Sequence, residues 1–297
     1  MVTYTECPVC KNKQLQNNIV AKDYTVSNEN FTIVKCITCT HMFTQNVAVQ
    51  NEIGKYYASE NYISHSDTQN GIVNKLYHTI RKKTLQTKLQ LLQKETGLQT
   101  GNVLDIGCGT GAFLHTMQNA GWNIEGLEPD YKARNKAVEL YKITAKASEK
   151  IFELQAYAYD AITMWHVLEH VHELQAYIAQ LKKMIRTKGK IFIAVPNYTS
   201  YDAKHYKEHW AAYDVPRHLY HFSPKSMAAL LSSHGLKIDA IKPMWYDSFY
   251  VSMLSEKYKN GKGNIVKAFC IGLLSNLNAF FYREKCSSLI YVISKNK

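Results

Sequence analysis

A glycine-rich turn after a short apolar segment is the clearest candidate for a ligand site in this sequence. Residues 103–113 read VLDIGCGTGAF. The apolar residues around Asp105 predict a buried strand, and Gly107, Gly109 and Gly111 allow the backbone to turn sharply and to approach a ligand closely. A helix that begins directly after the turn would point free N–H groups at that ligand. The segment therefore predicts a site for a nucleotide or a nucleoside.

Two acidic residues narrow the choice of ligand. Ala112 completes a G-x-G-x-x-A pattern, which is also found in folds that bind dinucleotides. However, Asp105 stands two residues before the first glycine, where a carboxylate would repel a pyrophosphate. The same carboxylate suits S-adenosylmethionine, which carries an ammonium and a sulfonium group and no phosphate. Glu128 follows at about the distance along the chain where an acid accepts the two ribose hydroxyls of a nucleoside.

The turn resembles that of the class I S-adenosylmethionine-dependent methyltransferases, in particular the methyltransferase-23-like group. A second segment, AITMWHVLEH at 161–170, is similar to the H-x-L-E-H sequence with which many of these enzymes pass from the fourth strand into a helix. The resemblance implies a set of cofactor-binding residues, namely Asp105, Gly107, Cys108, Gly109, Gly111, Phe113, Glu128, Pro129, Trp165 and His166. For Glu169 and His170 we expect local hydrogen bonds at a helix start.

Four cysteines near the start of the sequence form two knuckles. Cys7 and Cys10 make one C-x2-C pair, and Cys36 and Cys39 make the other. Four thiolates on two tight turns complete a tetrahedral zinc site without an open position, so we expect a structural Zn²⁺ whose binding contributes to folding. Paired disulfides are the alternative, which a reducing cytoplasm disfavours. We expect His41 to be a neighbour of this site rather than a ligand.

A loop rich in histidine and aromatic residues is the candidate for the acceptor site. Residues 197–222 contain seven aromatic residues and four histidines. They follow a predicted strand, and ligands of open α/β sheets bind outside the carboxyl ends of the strands. A histidine there can remove a proton from an acceptor near neutral pH. A second metal bound by His205 and His209, or by His218 and His221, is not favoured, because no carboxylate is placed beside either pair.

Residues 217–223, RHLYHFS, look like a motif of zinc-containing sugar C-methyltransferases, which also combine a cysteine module with this core. Their pattern is Glu-His, two residues and Tyr-Phe-Ser. The resemblance implies that His218 is the base, and we expect Asp214, Arg217 and His221 to orient the acceptor. Arg217 and His221 stand where the pattern has glutamate and tyrosine, so the substrate is not carried over. An arginine at this position favours an anionic acceptor such as a phosphate or carboxylate.

Strand and helix patterns alternate from about 102 to 195, which predicts an α/β fold with a Rossmann-like, seven-stranded, doubly wound sheet. The weakest predicted strand is a short one near Ile143, and the closing stretch 287–294 resembles the last strand of this family. We divide the chain into four parts: a zinc ribbon at 1–45, a helical connector at 46–98, a methyltransferase core at 99–243, and a helical insertion with the final strand at 244–297.

The net charge of +12 raises the question of a polyanionic partner. The lysines are scattered, so nucleic acid is a possible partner that the sequence does not favour. The sequence lacks a signal peptide and an apolar run long enough to span a membrane, and we expect a cytoplasmic protein without a transmembrane segment. The apolar stretch at 265–282 is interrupted by polar residues. We expect it to pack on the domain or in a homodimer, with a membrane surface as the alternative.

Together these features predict methyl transfer from S-adenosylmethionine to a small-molecule acceptor, such as a sugar or a nucleotide-linked or otherwise anionic metabolite. Two alternatives stay open. One is an RNA or protein methyltransferase that uses the zinc ribbon and the basic surface. The other is a zinc protein that binds S-adenosylmethionine without transferring its methyl group.

Overall fold

The computed structural model describes residues 1–57 and 72–296, with main chain only for 72–79. Part of the predicted connector, 58–71, lies outside the described residues. The strands are β1 (Leu15–Lys22), β2 (Asn30–Cys36), β3 (Met42–Thr44), β4 (Asn102–Ile106), β5 (Asn123–Leu127), β6 (Tyr159–Trp165), β7 (Ile185–Pro196), β8 (Tyr220–His221), β9 (Leu236–Pro243) and β10 (Ser288–Lys295). The α-helices are α1 (Ile72–Thr96), α2 (Ala112–Asn119), α3 (Tyr131–Tyr141), α4 (Leu174–Met184), α5 (Tyr201–Tyr206), α6 (Pro224–Ser233), α7 (Asp247–Asn260) and α8 (Ile265–Phe281).

The larger sheet has six strands in the order β5-β4-β6-β7-β10-β9. Strand β4 pairs in parallel with both β5 and β6, so that Val103 lies between Ile124 and Ala161. This mostly parallel sheet with helical crossovers confirms the Rossmann-like fold. At the seventh strand predicted near Ile143, the chain forms only a parallel bridge between Lys146 and Leu127 at the end of β5.

The smaller sheet has the order β1-β2-β3-β8 and is antiparallel. Its first three strands come from the predicted zinc ribbon, whereas β8 belongs to the histidine-rich loop. Met42 pairs with His221, and Phe43 pairs with Tyr220. The ribbon and the loop therefore share one set of backbone hydrogen bonds.

The chain divides into two compact units. We call residues 1–64, 166–178 and 194–291 the ribbon unit, and residues 65–165, 179–193 and 292–297 the turn unit, each to the extent that it is described. The ribbon unit has a core rich in aromatic residues, in which Phe31 and Tyr56 lie with Tyr206 and Trp210. The turn unit is built on the fully buried aliphatic residues of β4 and β6.

The predicted helical insertion consists of α7 and α8, which pack closely against each other. Phe249 stacks on Phe269, with ring centroids 5.3 Å apart, and a Cβ atom at Gly272 would lie 2.8 Å from the Phe249 ring. The outer face of α8 leaves large apolar side chains in solvent, including Val266 and Phe281. Within the described ranges, we find no helix that combines the length and the apolar character needed to cross a membrane.

Candidate functional site

The glycine turn follows the carboxyl end of β4 and has a backbone conformation that favours glycine. Gly107, Gly109 and Gly111 have φ angles of 71°, 55° and 81°, which other residues rarely adopt. A Cβ atom on Gly111 would also lie 3.1 Å from Cβ of Ala137. The Gly107 N–H donates to the carbonyl of Leu127 at 2.7 Å and ties the turn to the end of β5.

Asp105 is a buried carboxylate, 1% exposed, in the strand that leads into this turn. Its Oδ1 accepts a hydrogen bond from the Thr163 hydroxyl at 2.6 Å. Burial raises the pKa of Asp105 to about 7, although the Thr163 hydrogen bond and the positive charge of Lys88 oppose the shift. A carboxylate in such surroundings is stabilised in its ionised form by a cation that binds beside it.

Glu128 lies just after β5, where backbone groups hold both of its carboxylate oxygens. Oε2 accepts from the N–H of Gly109 at 2.8 Å, and Oε1 accepts from the N–H of Asp130 at 3.0 Å. Burial raises the pKa of Glu128, and these two hydrogen bonds oppose the rise. The guanidinium of Arg134 donates to the carbonyls of Glu128 and Pro129. Because each carboxylate oxygen can accept a further hydrogen bond, Glu128 can still bind two hydroxyls.

Three further side chains of the turn unit, those of Phe113, Trp165 and Lys88, provide an apolar border and a positive charge. Phe113 and Trp165 pack edge to face, with ring centroids 5.5 Å apart, and Lys88 Nζ lies 4.1 Å from the centroid of Trp165. Lys88 was not predicted from the sequence. It lies one helical turn before the fully buried Leu92, so the periodicity of α1 placed it on the inner face of that helix. The Cys108 side chain packs in a small apolar cluster, which leaves only its backbone for a ligand.

The four knuckle cysteines come together in the ribbon unit. The sulfur of Cys7 lies 3.5 Å from that of Cys39, and the sulfur of Cys10 lies 3.6 Å from that of Cys36. Tetrahedral thiolate zinc, with Zn–S bonds of about 2.3 Å, spaces its sulfurs by about 3.8 Å, whereas a disulfide needs about 2 Å. All four are free thiols, so this set fits one zinc ion better than two disulfides. His41 packs between aromatic rings beside the cluster.

His218 has one ring nitrogen fixed by the backbone. Its Nδ1 lies 2.9 Å from the carbonyl of Ala212. A carbonyl only accepts, so Nδ1 carries the hydrogen and Nε2 keeps its lone pair. Nε2 lies 4.0 Å from Oδ2 of Asp214. The ribbon also holds this residue, because the hydroxyl of Thr44 donates to the His218 carbonyl at 2.7 Å. His218 therefore offers a basic nitrogen on a rigid backbone.

Arg217 and Asp214 bind each other rather than presenting free charges. The Arg217 guanidinium contacts Asp214 at 2.6 Å and Asp23 at 3.0 Å, and it donates to the carbonyl of Tyr56 at 2.9 Å. Arg217 is 1% exposed. This geometry does not support the prediction that the pair orients an anionic acceptor, because the guanidinium already neutralises two carboxylates. The contacts instead fasten the loop to residues of the N-terminal segment.

His221 is a core residue of the smaller sheet. It is 4% exposed, and its ring packs on the edge of Tyr213. Burial lowers the pKa of His221 well below its usual range. The Thr44 hydroxyl already donates to a carbonyl, so the His221 Nε2–H donates to Thr44 at 3.1 Å. The structure likewise does not support the prediction that His221 orients an acceptor. Its ring is packed against Tyr213, and its Nε2–H is donated to Thr44.

Glu169 and His170 make more than the local contacts that we expected. They lie in a 3₁₀ turn at Leu168–His170, after β6. The Nδ1 of His170 lies 3.0 Å from the carbonyl of Arg217, which is 47 residues away in sequence. Burial, together with the neighbouring His218, lowers the pKa of His170 to about 4. One ligand atom from each of Glu169, His170 and His218 falls in a group whose members all lie within 4.8 Å of one another.

His166 precedes this turn and sits between two carboxylates. It has φ of 58°, and its N–H donates to the carbonyl of Ala194. Its Nδ1 lies 3.3 Å from Glu169, and its Nε2 lies 3.0 Å from Asp247. Burial alone would lower the pKa of His166, but the hydrogen bonds to Asp247 and Glu169 outweigh it and raise the pKa to about 10. The ring is therefore a cation at neutral pH, bound by both acids.

Comparisons with known proteins agree with the fold and with the glycine turn. A family model described as "Methyltransferase domain" matches residues 77–241. The ubiquinone biosynthesis O-methyltransferase of Sodalis glossinidius is 31% identical over 114 residues, which make up 36% of this chain and 46% of that protein. The enzyme of that name from Vibrio cholerae is 33% identical over the same length. This chain thus spans about half the length of these curated relatives.

A solved structure gives the same picture of the fold. The putative sarcosine dimethylglycine methyltransferase from Galdieria sulphuraria superimposes with a TM-score of 0.52 at 13% identity, covering 75% of this chain and 88% of that one. At this identity the likeness concerns the fold alone. The family model, in contrast, covers more than half of the chain and includes the glycine turn and Glu128. The protein therefore belongs to the methyltransferase domain family, and its domain is of the class I, S-adenosylmethionine-dependent type.

Proposed function

We propose that this protein transfers the methyl group of S-adenosylmethionine to a hydroxyl of a small molecule. The observation that carries the proposal is the buried carboxylate of Asp105 in the strand that enters the glycine turn. A buried acid favours a cationic ligand and disfavours a pyrophosphate. The names of the curated relatives, which are O-methyltransferases, favour oxygen as the atom that receives the methyl group.

The turn unit would hold the cofactor. Glu128, oriented by two backbone N–H groups, accepts the ribose hydroxyls, and Asp105 faces the positive end of the ligand in this proposal. The edge-to-face pair of Phe113 and Trp165 excludes water from one side. Lys88 supplies a positive charge that complements the carboxylate of the methionine part.

The ribbon unit would supply the group that activates the acceptor. In the transfer, the acceptor oxygen forms a bond to the methyl carbon while the carbon–sulfur bond breaks, and the sulfonium becomes a neutral thioether. The hydroxyl proton passes to Nε2 of His218, whose lone pair is left available by the Nδ1 contact to Ala212. The protein contributes mainly proximity and orientation to this displacement.

We also propose that Cys7, Cys10, Cys36 and Cys39 bind a structural Zn²⁺. Four thiolates occupy every position of a tetrahedral ion, so the metal has no open site for a substrate. The ion instead joins the turn before β1 to the turn between β2 and β3, and β3 pairs with the histidine loop.

The test is a screen of metabolite extract with S-adenosylmethionine that carries a labelled methyl group. We expect label in one small product that contains a new methoxy group, and no product with the Asp105→Ala variant. Label in RNA or protein instead would overturn the choice of acceptor. Tight cofactor binding without any labelled product would favour a protein that binds the cofactor but does not transfer the methyl group.

A further inference from the structure

Glu169, His170 and His218 bring together more side chains with donor atoms than a single general base requires. The motif at 161–170 and the loop at 197–222 are far apart in sequence, yet their donor atoms lie within 4.8 Å of one another. Two imidazoles and a carboxylate are a common ligand set for a transition-metal ion. Either histidine pair considered from the sequence lacked a placed carboxylate, and Glu169 supplies one beside His218.

The carboxylate of Glu169 has an unsatisfied oxygen. Glu169 is 0% exposed, and Oε1 makes a long contact of 3.3 Å with Nδ1 of His166. Oε2 is buried and has no hydrogen-bond partner among the described residues. A buried carboxylate oxygen without a partner has lost its hydration without compensation, which is unfavourable. A cation bound beside Oε2 would give this oxygen a partner.

Both histidines have the ring orientation that a metal ligand needs. Nδ1 of His218 faces the carbonyl of Ala212 at 2.9 Å, and Nδ1 of His170 faces the carbonyl of Arg217 at 3.0 Å. Nδ1 of His170 also lies 3.1 Å from the hydroxyl of Tyr57. Since carbonyls only accept, each Nδ1 carries the hydrogen, the Tyr57 hydroxyl is a second acceptor for His170, and each Nε2 has a lone pair. Metal-binding histidines commonly donate their other N–H to a backbone carbonyl or a carboxylate in this way. On the other side of the carboxylate, Nδ1 of His166 lies 3.3 Å from Oε1 and helps to position Glu169.

We propose that Glu169 Oε2, His170 Nε2 and His218 Nε2 bind one divalent transition-metal ion, separate from the zinc of the four cysteines. Three protein ligands leave at least one coordination position open, which is the arrangement of a catalytic rather than a structural metal. Nitrogen and oxygen ligands accept Mn²⁺ or Zn²⁺, whereas the four thiolates select zinc. The two sites of the ribbon unit are therefore expected to differ in metal preference.

A role of this metal in catalysis rests on the proposed methyl transfer and changes one step of it, the removal of the proton from the hydroxyl. A hydroxyl bound at the open position has a lower pKa, because the ion stabilises the alkoxide or phenoxide. Its proton then leaves to water, and the oxygen attacks the methyl group as before. His218 in that case acts by holding the metal instead of by accepting the proton.

The test is a calorimetric titration with Mn²⁺ of protein that carries one Zn²⁺ per chain, the ion of the four cysteines, without cofactor or acceptor. We expect one Mn²⁺ per chain. Removing a residue that hydrogen-bonds to a metal ligand typically weakens metal binding by about 10- to 100-fold. Glu169→Gln and His218→Gln change a ligand itself, so each should weaken Mn²⁺ binding by at least about 100-fold. Glu173→Gln, a nearby exposed acid, is the matched control and should bind like the wild type. Thermal unfolding of each variant establishes that it is folded.

Total metal per chain provides a second measurement that does not depend on Mn²⁺ affinity. Elemental analysis after equilibration with excess Zn²⁺ and desalting should give two ions per wild-type chain and one per His170→Gln chain. A wild type with one ion and no Mn²⁺ binding would overturn the second site. So would binding that is unchanged in both Glu169→Gln and His218→Gln. Since neither measurement involves methyl transfer, failure here leaves the proposed activity to be judged by the labelling screen.

Discussion

The glycine turn and the histidine loop differ in the sequence separation between the residues that hold each of them in place. The turn is assembled from neighbouring segments: Gly109 binds Glu128, and Asp105 binds Thr163 on the adjacent strand. The histidine loop depends on residues near the start of the chain, since Arg217 binds Asp23, which is 194 residues away. A motif can therefore describe the turn well, whereas the chemistry of the loop depends on contacts that no short motif contains.

Loss of the zinc that we propose at the four cysteines is expected to have the largest effect on the difference between the turn and the loop. Structural zinc contributes about 10 kcal/mol or more of apparent binding free energy, and β3 carries the strand pairing of the loop. Cys36→Ser should expose the loop to limited proteolysis and abolish turnover, while S-adenosylmethionine affinity changes by less than about 3-fold. Cys270→Ser, at an exposed cysteine, is the control. An equal loss of cofactor affinity would contradict the independence of the turn.

The second largest effect is expected when the buried ion pairs of Arg217 are broken. Arg217→Met leaves Asp23 and Asp214 without their shared cation, and loss of one partner from a buried pair costs about 3–5 kcal/mol. The free energy of unfolding in urea measures this change. Arg186→Met removes a partly exposed pair with Asp160 and should cost about 1 kcal/mol or less. If Arg217→Met were as stable as Arg186→Met, the loop would not depend on its distant contacts.

A change at Asp105 tests the turn itself. Asp105→Ala should weaken S-adenosylmethionine binding by about 100-fold, since removing one partner of a desolvated charge pair costs a few kcal/mol. Isothermal calorimetry measures the Kd. The control is Asp130→Ala, which removes an exposed helix-capping acid near the same turn. Retained tight binding by Asp105→Ala would refute the assignment of Asp105.

The smallest effect concerns pH. The pKa of Asp105 is raised from 3.8 to about 7 in the folded protein without ligand. Cofactor affinity should therefore increase between pH 6 and 8, by at most about 10-fold per unit, and Asp105→Asn should flatten the profile. For folding the sign is opposite: the raised pKa contributes stability at low pH that is lost as the pH rises through about 7. A wild-type profile as flat as that of the variant would contradict the shift.

The sequence predicted the fold and the glycine turn well because both depend on local patterns. Alternating elements gave the parallel sheet, and the spacing of Cys7, Cys10, Cys36 and Cys39 anticipated their cluster. Charges were harder to interpret. Arg217 suggested an anionic acceptor, but the neutralising carboxylate of Asp23 comes from a turn whose proximity only the folded chain reveals.

Contacts between residues that are distant in sequence also explain why some residues of the site were not predicted. Lys88 belongs to no motif and reaches Trp165 only through the packing of α1. Glu169 and His170 were noticed, yet their partner His218 follows only after α4, β7 and α5. A motif interpreted by itself suggested a helix cap, and only the three-dimensional grouping revealed a set of metal-binding donors.

The position of β10 within the larger sheet has a consequence for biosynthesis. This strand lies between β7 and β9, and among the described strands it is the only one that pairs with β9. While residues 288–295 are still being translated, β9 and one edge of β7 have no hydrogen-bonding neighbour. Open strand edges are prone to pairing with other chains. We therefore expect ribosome-bound chains of this protein to depend on chaperones until β10 has emerged and completed the sheet.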